Sequence, residues 1–514
     1  MTASTTSVLV PLAVQPVLDW LAAHAPSAQL ASDSRGIAPG DVFVAYTVIG
    51  ADGRKHIAHA IAQGASAVLY ESADFAWDAG WQVPHLAVAQ LDRLAGYIAN
   101  AQYGKPDADM FTVGVTGTNG KTSCTQWIGN ALSRLGEPTT VIGTLGVGLF
   151  ENGRHDEFQT TGYTTPDAVL LQRRLAKMRD AGARALAIEA SSIGLDQGRL
   201  NGLHFDVALF TNFTRDHLDY HGDEAAYEAA KVMLFDWPGL RHAVINLDDA
   251  MGMRLVRHLK QTRPGLALYG YTLESKAVDG VAVFAASDIR TNYAGAGFHL
   301  DSPFGVTHVK TQMVGAFNVS NVLGIIGVLV ARGIEWGDVI DAAEELTPVP
   351  GRMQQLGGPE APLVVIDYAH TPDALIKTLA ALRQIAQQRS GQLWCVFGCG
   401  GDRDPGKRPQ MGAAALTADH VVVTSDNPRN EDPALIIGHI LAGMGQAAVA
   451  PQVFEDRAAA ILWAVKHAAR QDVVLLAGKG HETYQEIKGR KLPFLDADHA
   501  ALALAARVTM KGAL

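Results

Sequence analysis

The stretch Val113-Gly-Val-Thr-Gly-Thr-Asn-Gly-Lys-Thr122 decides the fold class. An apolar run leads into a glycine-rich turn, and the Lys-Thr pair precedes a helix predicted over 123–135. This order is typical of loops that hold phosphate with backbone N–H groups and a helix N-terminus. We expect Lys121 to reach the terminal phosphates of ATP or GTP and Thr122 to ligate Mg²⁺. The usual template is incomplete, because residue 115 is valine, and the alternative is a glycine turn with a surface lysine.

Apolar runs continue along the chain and alternate with amphipathic segments. This pattern favours an α/β fold in which parallel sheets are covered on both faces. Residues 276–314 are rich in Gly, Val and Thr and predict an antiparallel appendage, and 317–333 predict a buried helix. Strands are predicted at 111–115, 185–189, 207–211, 243–246, 363–367, 393–397, 421–424 and 473–477.

Two breaks divide the chain. Residues 103–107 carry Gly and Pro and suggest a linker, and Thr347-Pro-Val-Pro-Gly351 is a second interruption. Before the first break, short strands at 41–46 and 66–71 flank a predicted helix at 54–63. We therefore predict three domains: a small N-terminal α/β domain (1–106), a central P-loop parallel-sheet ATPase domain (107–347) and a C-terminal Rossmann-like α/β domain (348–514).

Composition limits the class of protein. The chain has 514 residues, 48% of them hydrophobic, and a formal net charge of −10, which argues against nucleic-acid binding. Its three cysteines, Cys124, Cys395 and Cys399, are too few for a disulfide framework. Residues 1–10 lack a basic segment, and the longest apolar run, 322–331, is too short to span a bilayer. We expect a cytoplasmic protein, not inserted in a membrane.

Acidic and polar residues follow the predicted strands. Glu189 ends one strand, and carboxyl ends of parallel strands gather ligands, so Glu189 is a candidate for Mg²⁺. The loop 212–222 contains Asp216, His217, Asp219 and His221, which suggest a metal site, although a charged capping loop explains the same residues. On the next predicted helix, Lys231 stands among alanines, and its position alone suggests only a solvated cation.

Taken in order, these motifs resemble the Mur ligase family. The resemblance rests on the motifs 116–122, 189–192, 212–221 and 227–231, and on Gly315-Ala-Phe-Asn-Val-Ser-Asn321, Pro350-Gly-Arg-Met353 and Asp367-Tyr-Ala-His-Thr-Pro-Asp373. It continues through 397–404, Asp426-Asn-Pro-Arg429 and Ala477-Gly-Lys-Gly-His-Glu482, and so covers nearly the whole chain. Many relatives have His where Ile193 stands, and polar residues where Val48-Ile49-Gly50 stands.

The resemblance implies an ATP-driven amide ligase of peptidoglycan precursor synthesis, hence of cell-wall biogenesis, cell shape and division. Its variant with Asp-Asn-Pro-Arg adds meso-diaminopimelate to UDP-N-acetylmuramoyl-L-alanyl-D-glutamate. Catalytic roles fall to Lys121, His217 and Lys231, the last as a carbamate. The implied Mg²⁺ ligands are Thr122, Glu189, His217 and the carbamylated Lys231. The implied ATP-binding residues are Gly117, Thr118, Asn119, Gly120, Lys121, Thr122, Ser123, Asn318, Arg352 and Asp367.

The same resemblance assigns the two other substrates. Ser32 and Ser34 would hold the uridine end, with Thr160 and Thr161 as an alternative threonine pair on the sugar-peptide side. That side is otherwise assigned to Thr164, Thr165, Ser191, Gln197 and Arg199. The amino acid is assigned to Arg403, Asp426, Asn427, Pro428, Arg429, Gly478 and Glu482. Arginine suits the distal carboxylate, which lysine as a substrate lacks.

Three other functions stay open at this point. A lysine-adding ligase of the same family and a folate polyglutamate synthetase relative would share the phosphate loop. A P-loop NTPase that acts as a switch would hydrolyse the nucleotide without making an amide. Dependence of ATP turnover on both a UDP-sugar peptide and an amine separates the ligases from the switch. A monomer is expected.

Overall fold

The computed structural model describes residues 6–274, 276–358, 360–445 and 449–511, and the side chains of residues 13–507 within these ranges. Residues 1–5 of the N-terminal stretch considered as a secretory signal lie outside the described residues. Within the described ranges, no helix has both the length and the apolar character needed to cross a membrane. The three cysteines are buried free thiols.

The N-terminal part contains a small parallel sheet in the order β1-β2-β5-β6. Both predicted strands are confirmed as β2 and β5, and the predicted helix is a 3₁₀ turn (Gly53–His56) that continues into α2. The elements are α1 (Thr6–His24), β1 (Leu30–Ala31), a 3₁₀ turn (Ser34–Gly36), β2 (Val42–Ala45), β3 (Thr47–Val48), β4 (Ala51–Asp52), α2 (Ile57–Ala62), β5 (Ala67–Glu71), β6 (His85–Val88) and α3 (Leu91–Gln102).

The central part is built on a large sheet. Its strands are β7 (Phe111–Thr116), β8 (Thr139–Gly143), β9 (Gly146–Glu151), β10 (Arg154–His155), β11 (Ala185–Glu189), β12 (Val207–Phe210), β13 (His242–Asn246), β14 (Ala267–Thr272), β15 (Ala282–Asn292), β16 (Gly295–Ser302) and β17 (Gly305–Thr311). Its helices are α4 (Lys121–Arg134), α5 (Ala168–Asp180), α6 (Ser192–Asp196), α7 (Leu218–His221), α8 (Glu224–Val232), α9 (Ala250–Thr262), α10 (Ala316–Arg332) and α11 (Trp336–Glu344).

The strand order of this sheet is β10-β9-β8-β11-β7-β12-β13-β14-β15-β16-β17, parallel from β8 to β15. The antiparallel pairing predicted within 276–314 is confirmed for β15, β16 and β17. Its description as an appendage was wrong, because β15 pairs in parallel with β14 and extends the same sheet. Sequence could not reveal that long-range pairing.

The C-terminal part has a sheet in the order β18-β19-β23-β20-β21-β22, parallel except for β18. Its strands are β18 (Gln354–Leu356), β19 (Leu363–Asp367), β20 (Leu393–Phe397), β21 (His420–Thr424), β22 (Gln452–Phe454) and β23 (Val473–Ala477), with the hairpin β24 (Tyr484–Ile487) and β25 (Arg490–Pro493). Its helices are α12 (Pro372–Gln388), α13 (Lys407–Ala415), α14 (Pro433–Ala442), α15 (Arg457–His467) and α16 (Asp496–Lys511). The division at 106/107 and 347/348 stays a prediction, although each range contains one of these three sheets.

Strand β7 explains why the central sheet carries helices on both faces. All of its residues are buried, and successive side chains point to opposite sides. Phe111, Val113 and Val115 pack in the core shared with α4 and α10. On the other face Gly114 leaves room for Leu234, whose Cδ1 would lie 2.8 Å from an added Cβ. β7 therefore holds its following loop rigidly between β11 and β12.

A buried ion pair holds the C-terminal sheet to its last helix. Arg457 donates two hydrogen bonds to Asp496, Nε to Oδ1 at 2.8 Å and Nη2 to Oδ2 at 2.6 Å. Both side chains are 0% exposed. Arg457 Nη2 also donates to Ala477 O at 3.0 Å, at the end of β23. The pair therefore fixes α15 and α16 beside the carboxyl end of that strand.

We predict that Asp496→Asn lowers the free energy of unfolding of the C-terminal part by about 3–5 kcal/mol, because it leaves the buried Arg457 charge uncompensated. Denaturant unfolding followed by tryptophan fluorescence measures this change. The control is Glu360→Gln, which removes an exposed partner of Arg470 3.3 Å away and should cost less than about 1 kcal/mol. Equal effects of the two variants would contradict a special role for the buried pair.

Candidate active site

The glycine-rich loop joins β7 to α4 at the carboxyl edge of the sheet. Gly117 has a φ of +151° and Gly120 a φ of +86°, and a Cβ on Gly117 would lie 1.9 Å from Thr211 Oγ1. Only glycine is compatible with both the backbone and this space. Asn212 holds the loop from β12, accepting at its O from Thr118 N at 2.8 Å. The first N–H groups of α4 have no intrahelical acceptors, so this helix end offers free donors that suit a phosphate.

Lys121 folds back over this loop. Its Nζ donates to Gly117 O at 2.7 Å and to Thr118 O at 2.8 Å. The residue is half-buried, not exposed as a surface lysine would be. Burial lowers the pKa of Lys121, while the charges of Glu189 and Asp216 oppose that shift. The alternative of a solvated surface lysine is therefore wrong.

An arginine from the C-terminal part reaches the same loop. Arg352 Nη2 donates to Thr122 Oγ1 at 2.9 Å, across 230 residues of sequence. The guanidinium lies over the ring of Tyr368, 4.4 Å from its centroid. Sequence analysis assigned Arg352 to the ATP-facing turn, and its side chain does lie beside the phosphate loop. Tyr368, which orients it, was missed.

A cavity of about 420 Å³ opens beside the loop. It brings together several residues assigned to ATP, namely Asn119, Gly120, Ser123, Asn318, Arg352 and Asp367. Asn318 Nδ2 donates to Val314 O at 2.9 Å, and Asp367 Oδ2 accepts from Met353 N at 2.9 Å. Burial raises the pKa of Asp367, against the charge of Arg352. Residues of this cavity that sequence analysis missed include Asn246, Asp248, Phe317, Lys377 and Gln384.

Glu189 lies buried at the end of β11, next to β7. Its Oε1 accepts from Thr144 N at 2.8 Å and its Oε2 from Thr144 Oγ1 at 3.2 Å. A Cβ on Gly143 would come within 2.2 Å of Oε1, so this glycine leaves the space that the carboxylate occupies. Two hydrogen bonds leave lone pairs on both oxygens, which is what a hard cation requires.

The residues assigned to the sugar-peptide converge beside Glu189. Thr165 Oγ1 donates to Glu189 O at 2.7 Å and lies 2.8 Å from Ser191 Oγ. Arg199 donates through Nη1 to Thr165 O at 2.8 Å and through Nη2 to Gln197 Oε1 at 2.7 Å. Thr164 joins the group, since its Oγ1 is 3.1 Å from Thr144 Oγ1.

The alternative threonine pair is arranged differently. Thr161 Oγ1 donates to Tyr163 O at 2.9 Å, within a local turn. Thr160 belongs to the segment that packs on Gly146. The structure therefore brings 164–165, rather than 160–161, into the group around Glu189.

The metal site suggested by Asp216, His217, Asp219 and His221 was wrong as a four-residue cluster. His217 Nε2 lies 3.6 Å from Asp216 Oδ2, whereas His221 Nε2 lies 3.0 Å from Ser192 Oγ. Because these residues occupy consecutive positions before and along the short helix α7, their side chains diverge. In the parts of the chain that the structure describes, no three His, Cys, Asp or Glu side chains gather into a metal site.

Charges from two parts of the chain meet at Asp216. Burial raises the pKa of this carboxyl, but His217, His370 and Lys407 outweigh it and bring the pKa to about 2. Burial lowers the pKa of His217, and Lys121 and Lys231 add to the shift while Asp216 opposes it. His370 and Lys407 were missed, because they come from β19–α12 and α13, which sequence alone does not bring near residue 216.

Lys231 is not a solvated helix cation. Its side chain is 1% exposed, and Nζ lies 4.2 Å from the centroid of the Tyr227 ring. Tyr227 OH is in turn 3.1 Å from Thr118 Oγ1 of the phosphate loop. Burial lowers the pKa of Lys231 well below its ordinary value, and Lys121 lowers it further, against Asp216. Burial therefore favours the neutral amine of Lys231 over its charged form.

The residues assigned to uridine lie in the N-terminal part. Ser32 Oγ donates to Asp167 Oδ1 at 2.6 Å, and Asp167 caps α5, so this bond links the N-terminal part to the central one. Ser34 is buried in the adjacent 3₁₀ turn. The segment 49–50 is the tip of the β3–β4 hairpin, where Ile49 is 72% exposed.

The residues assigned to the amino acid form a group at the carboxyl edge of the C-terminal sheet. A Cβ on Gly400 would lie 3.0 Å from Arg429 Nη1 and 3.8 Å from Arg403 Cγ, so both arginines flank this glycine. Arg403 is exposed. Arg429 is partly engaged: Nη1 donates to Gly401 O at 2.6 Å, and Nε lies 3.6 Å from Glu486 Oε2.

The opposite side of this group is carboxylate-rich. Asn427 Nδ2 donates to Glu482 Oε2 at 2.7 Å. A Cβ on Gly478 would lie 2.6 Å from Asp426 Oδ2, and one on Gly401 would lie 1.9 Å from Pro428 O. Two residues in contact with this group, Lys479 and Glu486, were missed. The glycines on both sides of Lys479 were the available signal.

Comparison with known proteins identifies the family. Residues 115–329 match the model of the Mur ligase middle domain, and residues 351–480 match that of the Mur ligase, glutamate ligase domain. The first match includes the phosphate loop and most of the central sheet, and the second includes the C-terminal sheet. The chain belongs to the Mur ligase family.

The names of individual relatives specify a reaction more narrowly than the family models do. The chain is 69% identical, over 99% of its length and 100% of the relative's, to the UDP-N-acetylmuramoyl-L-alanyl-D-glutamate--2,6-diaminopimelate ligase of Janthinobacterium sp. (strain Marseille). It is 54% identical to the ligase of that name from Ralstonia nicotianae, over 99% of each chain. A solved structure with the same name is 36% identical, with a TM-score of 0.64 over 93% of this chain and 95% of that one. The MurF ligase from Thermotoga maritima in complex with ADP shares the fold, at 16% identity and a TM-score of 0.65 over 94% of this chain and 99% of that one.

We predict that Lys121→Ala lowers the rate of phosphate release from Mg-ATP at least about a hundredfold, since it removes a cation from the transferring phosphoryl group, worth roughly 3 kcal/mol. Steady-state phosphate release with all substrates present measures the effect. The control is Lys177→Ala, an exposed lysine of α5, which should leave the rate unchanged. Near-normal turnover in a folded Lys121→Ala protein would contradict the assignment.

Proposed function

We propose that this chain is an ATP-dependent ligase that joins meso-diaminopimelate to UDP-N-acetylmuramoyl-L-alanyl-D-glutamate in the synthesis of peptidoglycan precursors. The observation that carries the proposal is the 69% identity, over the full length, to a ligase of that name. The geometry supports the proposal independently. The phosphate loop and the hydroxyl-rich group beside Glu189 lie at the edge of the central sheet, and the group that contains Arg403 and Arg429 lies at the edge of the C-terminal sheet. A cytoplasmic location and a monomeric state form part of the proposal.

The reaction makes an amide from a poor acyl donor. The γ-phosphate of ATP passes to the side-chain carboxylate of D-glutamate, giving an acyl phosphate and ADP. The neutral amine of diaminopimelate attacks the acyl carbon, the C–O bond to phosphate breaks, and inorganic phosphate leaves. The amine loses a proton as the C–N bond forms. The site must stabilise phosphoryl charge and exclude water until the amine arrives.

Residues of the central part and of the C-terminal part would bind ATP together. The backbone of 117–123 would cradle the β- and γ-phosphates, with Lys121 drawn from its loop carbonyls to the terminal phosphate. The cavity beside the loop would hold the base and ribose against Asn318 and Asp367. Arg352 already contacts Thr122, so it would meet the phosphates as the two parts of the chain close on them.

The residues around the loop are suited to Mg²⁺. Thr122, Glu189, His217 and a carbamylated Lys231 would hold it, and the uncommitted lone pairs of buried Glu189 supply the hard oxygen donors it prefers. When bound, Mg²⁺ neutralises phosphate charge. Addition of CO₂ to the neutral Lys231 amine would form an N–C bond and release one proton, and the resulting carbamate would place an anion near Lys121.

The UDP-sugar peptide would bridge the N-terminal and central parts. Ser32 and Ser34 would hold its uridine end, near the bond between Ser32 and Asp167. The group of Thr164, Thr165, Ser191, Gln197 and Arg199 would hold the dipeptide, which brings the D-glutamate carboxylate beside Glu189 and Lys121. The existing hydrogen bonds within this group hold it ready for a substrate.

Diaminopimelate would bind in the group at the edge of the C-terminal sheet. Arg429 and Arg403 supply cations for its distal carboxylate, and Asp426 and Glu482 supply anions for its distal ammonium. Asn427, Pro428 and the Gly478 backbone complete that pocket. A lysine-adding enzyme would not need the two arginines, and a nucleotide switch would need none of this group.

We predict that Arg429→Ala weakens use of meso-diaminopimelate by roughly tenfold to several hundredfold, since charge-assisted hydrogen bonds contribute about 1.5–3 kcal/mol each. Lysine has no distal carboxylate, so its poor use should hardly change. Phosphate release at fixed ATP and dipeptide, with each amino acid in turn, measures both effects in wild type and variant.

The same measurements of phosphate release with the two amino acids also test the proposed function. Efficient use of lysine by the wild type would overturn the diaminopimelate assignment, and ATP turnover without dipeptide or amine would favour the nucleotide switch. Equal losses on both amino acids in Arg429→Ala would mean that Arg429 supports the fold or domain closure. Apparent affinities for ATP and dipeptide, which bind elsewhere, serve as the internal control.

We also predict that Lys231→Ala loses activity and that short carboxylates such as acetate partly restore it, because they replace the anionic oxygen of the carbamate. Lys231→Arg should be inactive too, since a guanidinium does not form a carbamate. The assay is phosphate release with and without added carboxylate. An active Lys231→Arg enzyme would exclude the carbamate and leave Lys231 an ordinary buried cation.

A further inference from the structure

A fully buried lysine lies in the turn between β23 and β24. The side chain of Lys479 is 0% exposed, whereas lysines in proteins almost never lose all contact with water unless they are paired. Gly478 and Gly480, with φ values of +109° and +52°, allow the sharp backbone turn that brings it inward. Such burial carries a desolvation cost that its partners must offset.

The partners of Lys479 are two residues of the proposed amino-acid site. Its Nζ donates to Glu482 Oε2 at 2.9 Å and to Asn427 Oδ1 at 3.1 Å. Asn427 Nδ2 donates to the same Glu482 Oε2 at 2.7 Å. The three side chains therefore form a closed triangle, in which each one contacts the other two. Asn427 Oδ1 also accepts from Glu486 N at 2.9 Å, which ties the triangle to the hairpin.

This triangle leaves one oxygen of Glu482 free for a ligand. Oε2 accepts both donors, while Oε1 receives no hydrogen bond from the residues that the structure describes. The carboxylate is consequently held through Oε2, and its Oε1 keeps its lone pairs for another donor. An oxygen so presented is suited to an ammonium group.

The charges of the buried side chains near the amino-acid site also favour an ammonium ligand for Glu482. Two of the buried cations near the site are Lys479 and Arg457, and the charges of Asp426 and Glu482 stabilise Arg457. Asp426 and Glu482 are thus two carboxylates on this side of the site, which suit an ammonium group of the substrate.

We infer that Lys479 is a positioning residue for the amino-acid substrate: it orients Glu482 and Asn427 so that Glu482 Oε1 receives the distal ammonium of a diamino acid. The inference rests on the proposed function, and it adds a residue that contacts no substrate itself. A methionine of similar length would fill the same space without the desolvation cost of a charge. The charge is therefore explained by the site residues it holds rather than by packing.

The experiment compares Lys479→Met with wild type on two amino acids, meso-diaminopimelate and 2-aminopimelate, which lacks the distal amino group. The control is Lys491→Met. Both lysines lie near the Tyr484 ring, Lys479 Nζ at 5.9 Å and exposed Lys491 Nζ at 4.3 Å from its centroid, but Lys491 forms no hydrogen bond or ion pair with Asn427 or Glu482 among the described residues. KM and kcat are measured for each amino acid, for ATP and for the UDP-dipeptide. If Lys479→Met does not fold, Lys479→Gln, which also removes the charge, takes its place.

The expected result is a KM for diaminopimelate raised at least about tenfold in Lys479→Met, with little change for 2-aminopimelate, ATP or the dipeptide. Lys491→Met should match wild type on all four. Equal losses on both amino acids, or an unchanged KM for diaminopimelate, would overturn the inference and leave the proposed function standing. A wild type that does not prefer diaminopimelate to 2-aminopimelate would overturn both.

Discussion

The close approach of Gly117 to Thr211 is the constraint on which the central site depends. A Cβ at residue 117 would lie 1.9 Å from Thr211 Oγ1, so the loop passes β12 with no side chain between them. That approach lets Asn212 accept hydrogen bonds from the loop backbone at Thr118 N and Asn119 N. The site follows from it, because Lys121 and Thr122 begin α4, and Glu189 ends the strand on the other side of β7.

The burial of charged side chains is the second constraint on the structure. It concerns several residues whose burial costs free energy. Burial lowers the pKa of Lys121, and the charges of Glu189 and Asp216 oppose this shift. Burial also lowers the pKa of Lys231, and the neighbouring charge of Lys121 lowers it further. A similar arrangement recurs in the C-terminal part, where Lys479 and Arg457 lie among carboxylates. In both places the burial of charged side chains has a desolvation cost, and these side chains fix polar groups at the edge of a sheet.

Much of the fold could be predicted because buried parallel strands are continuous apolar runs. Residues 185–189, 363–367, 393–397 and 473–477 were predicted as strands and have those bounds. The pairing of β14 with β15 was not predictable, because the residue pattern of a strand does not indicate which other strand it pairs with. Nor was the burial of Lys231 or Lys479: a lysine among alanines or glycines has the same local pattern whether it faces solvent or the core. The divergence of His217 and His221 likewise depends on the backbone of α7, which their spacing does not reveal.

The residues proposed for the two halves of the reaction are joined by a contact between two turns. A Cβ on Gly351 would lie 2.2 Å from His481 N, so the turn that carries Arg352 packs directly on the turn that carries Lys479 and Glu482. Tyr368 lies between them, 4.4 Å from the Arg352 guanidinium and 5.4 Å from the His481 ring centroid. Burial, with Arg352 and Lys479 nearby, lowers the pKa of His481 to about 3, so the ring is neutral and adds no charge between the two cations. Since Arg352 also contacts Thr122, the residues that face ATP and those that would hold the amine are connected through these two turns.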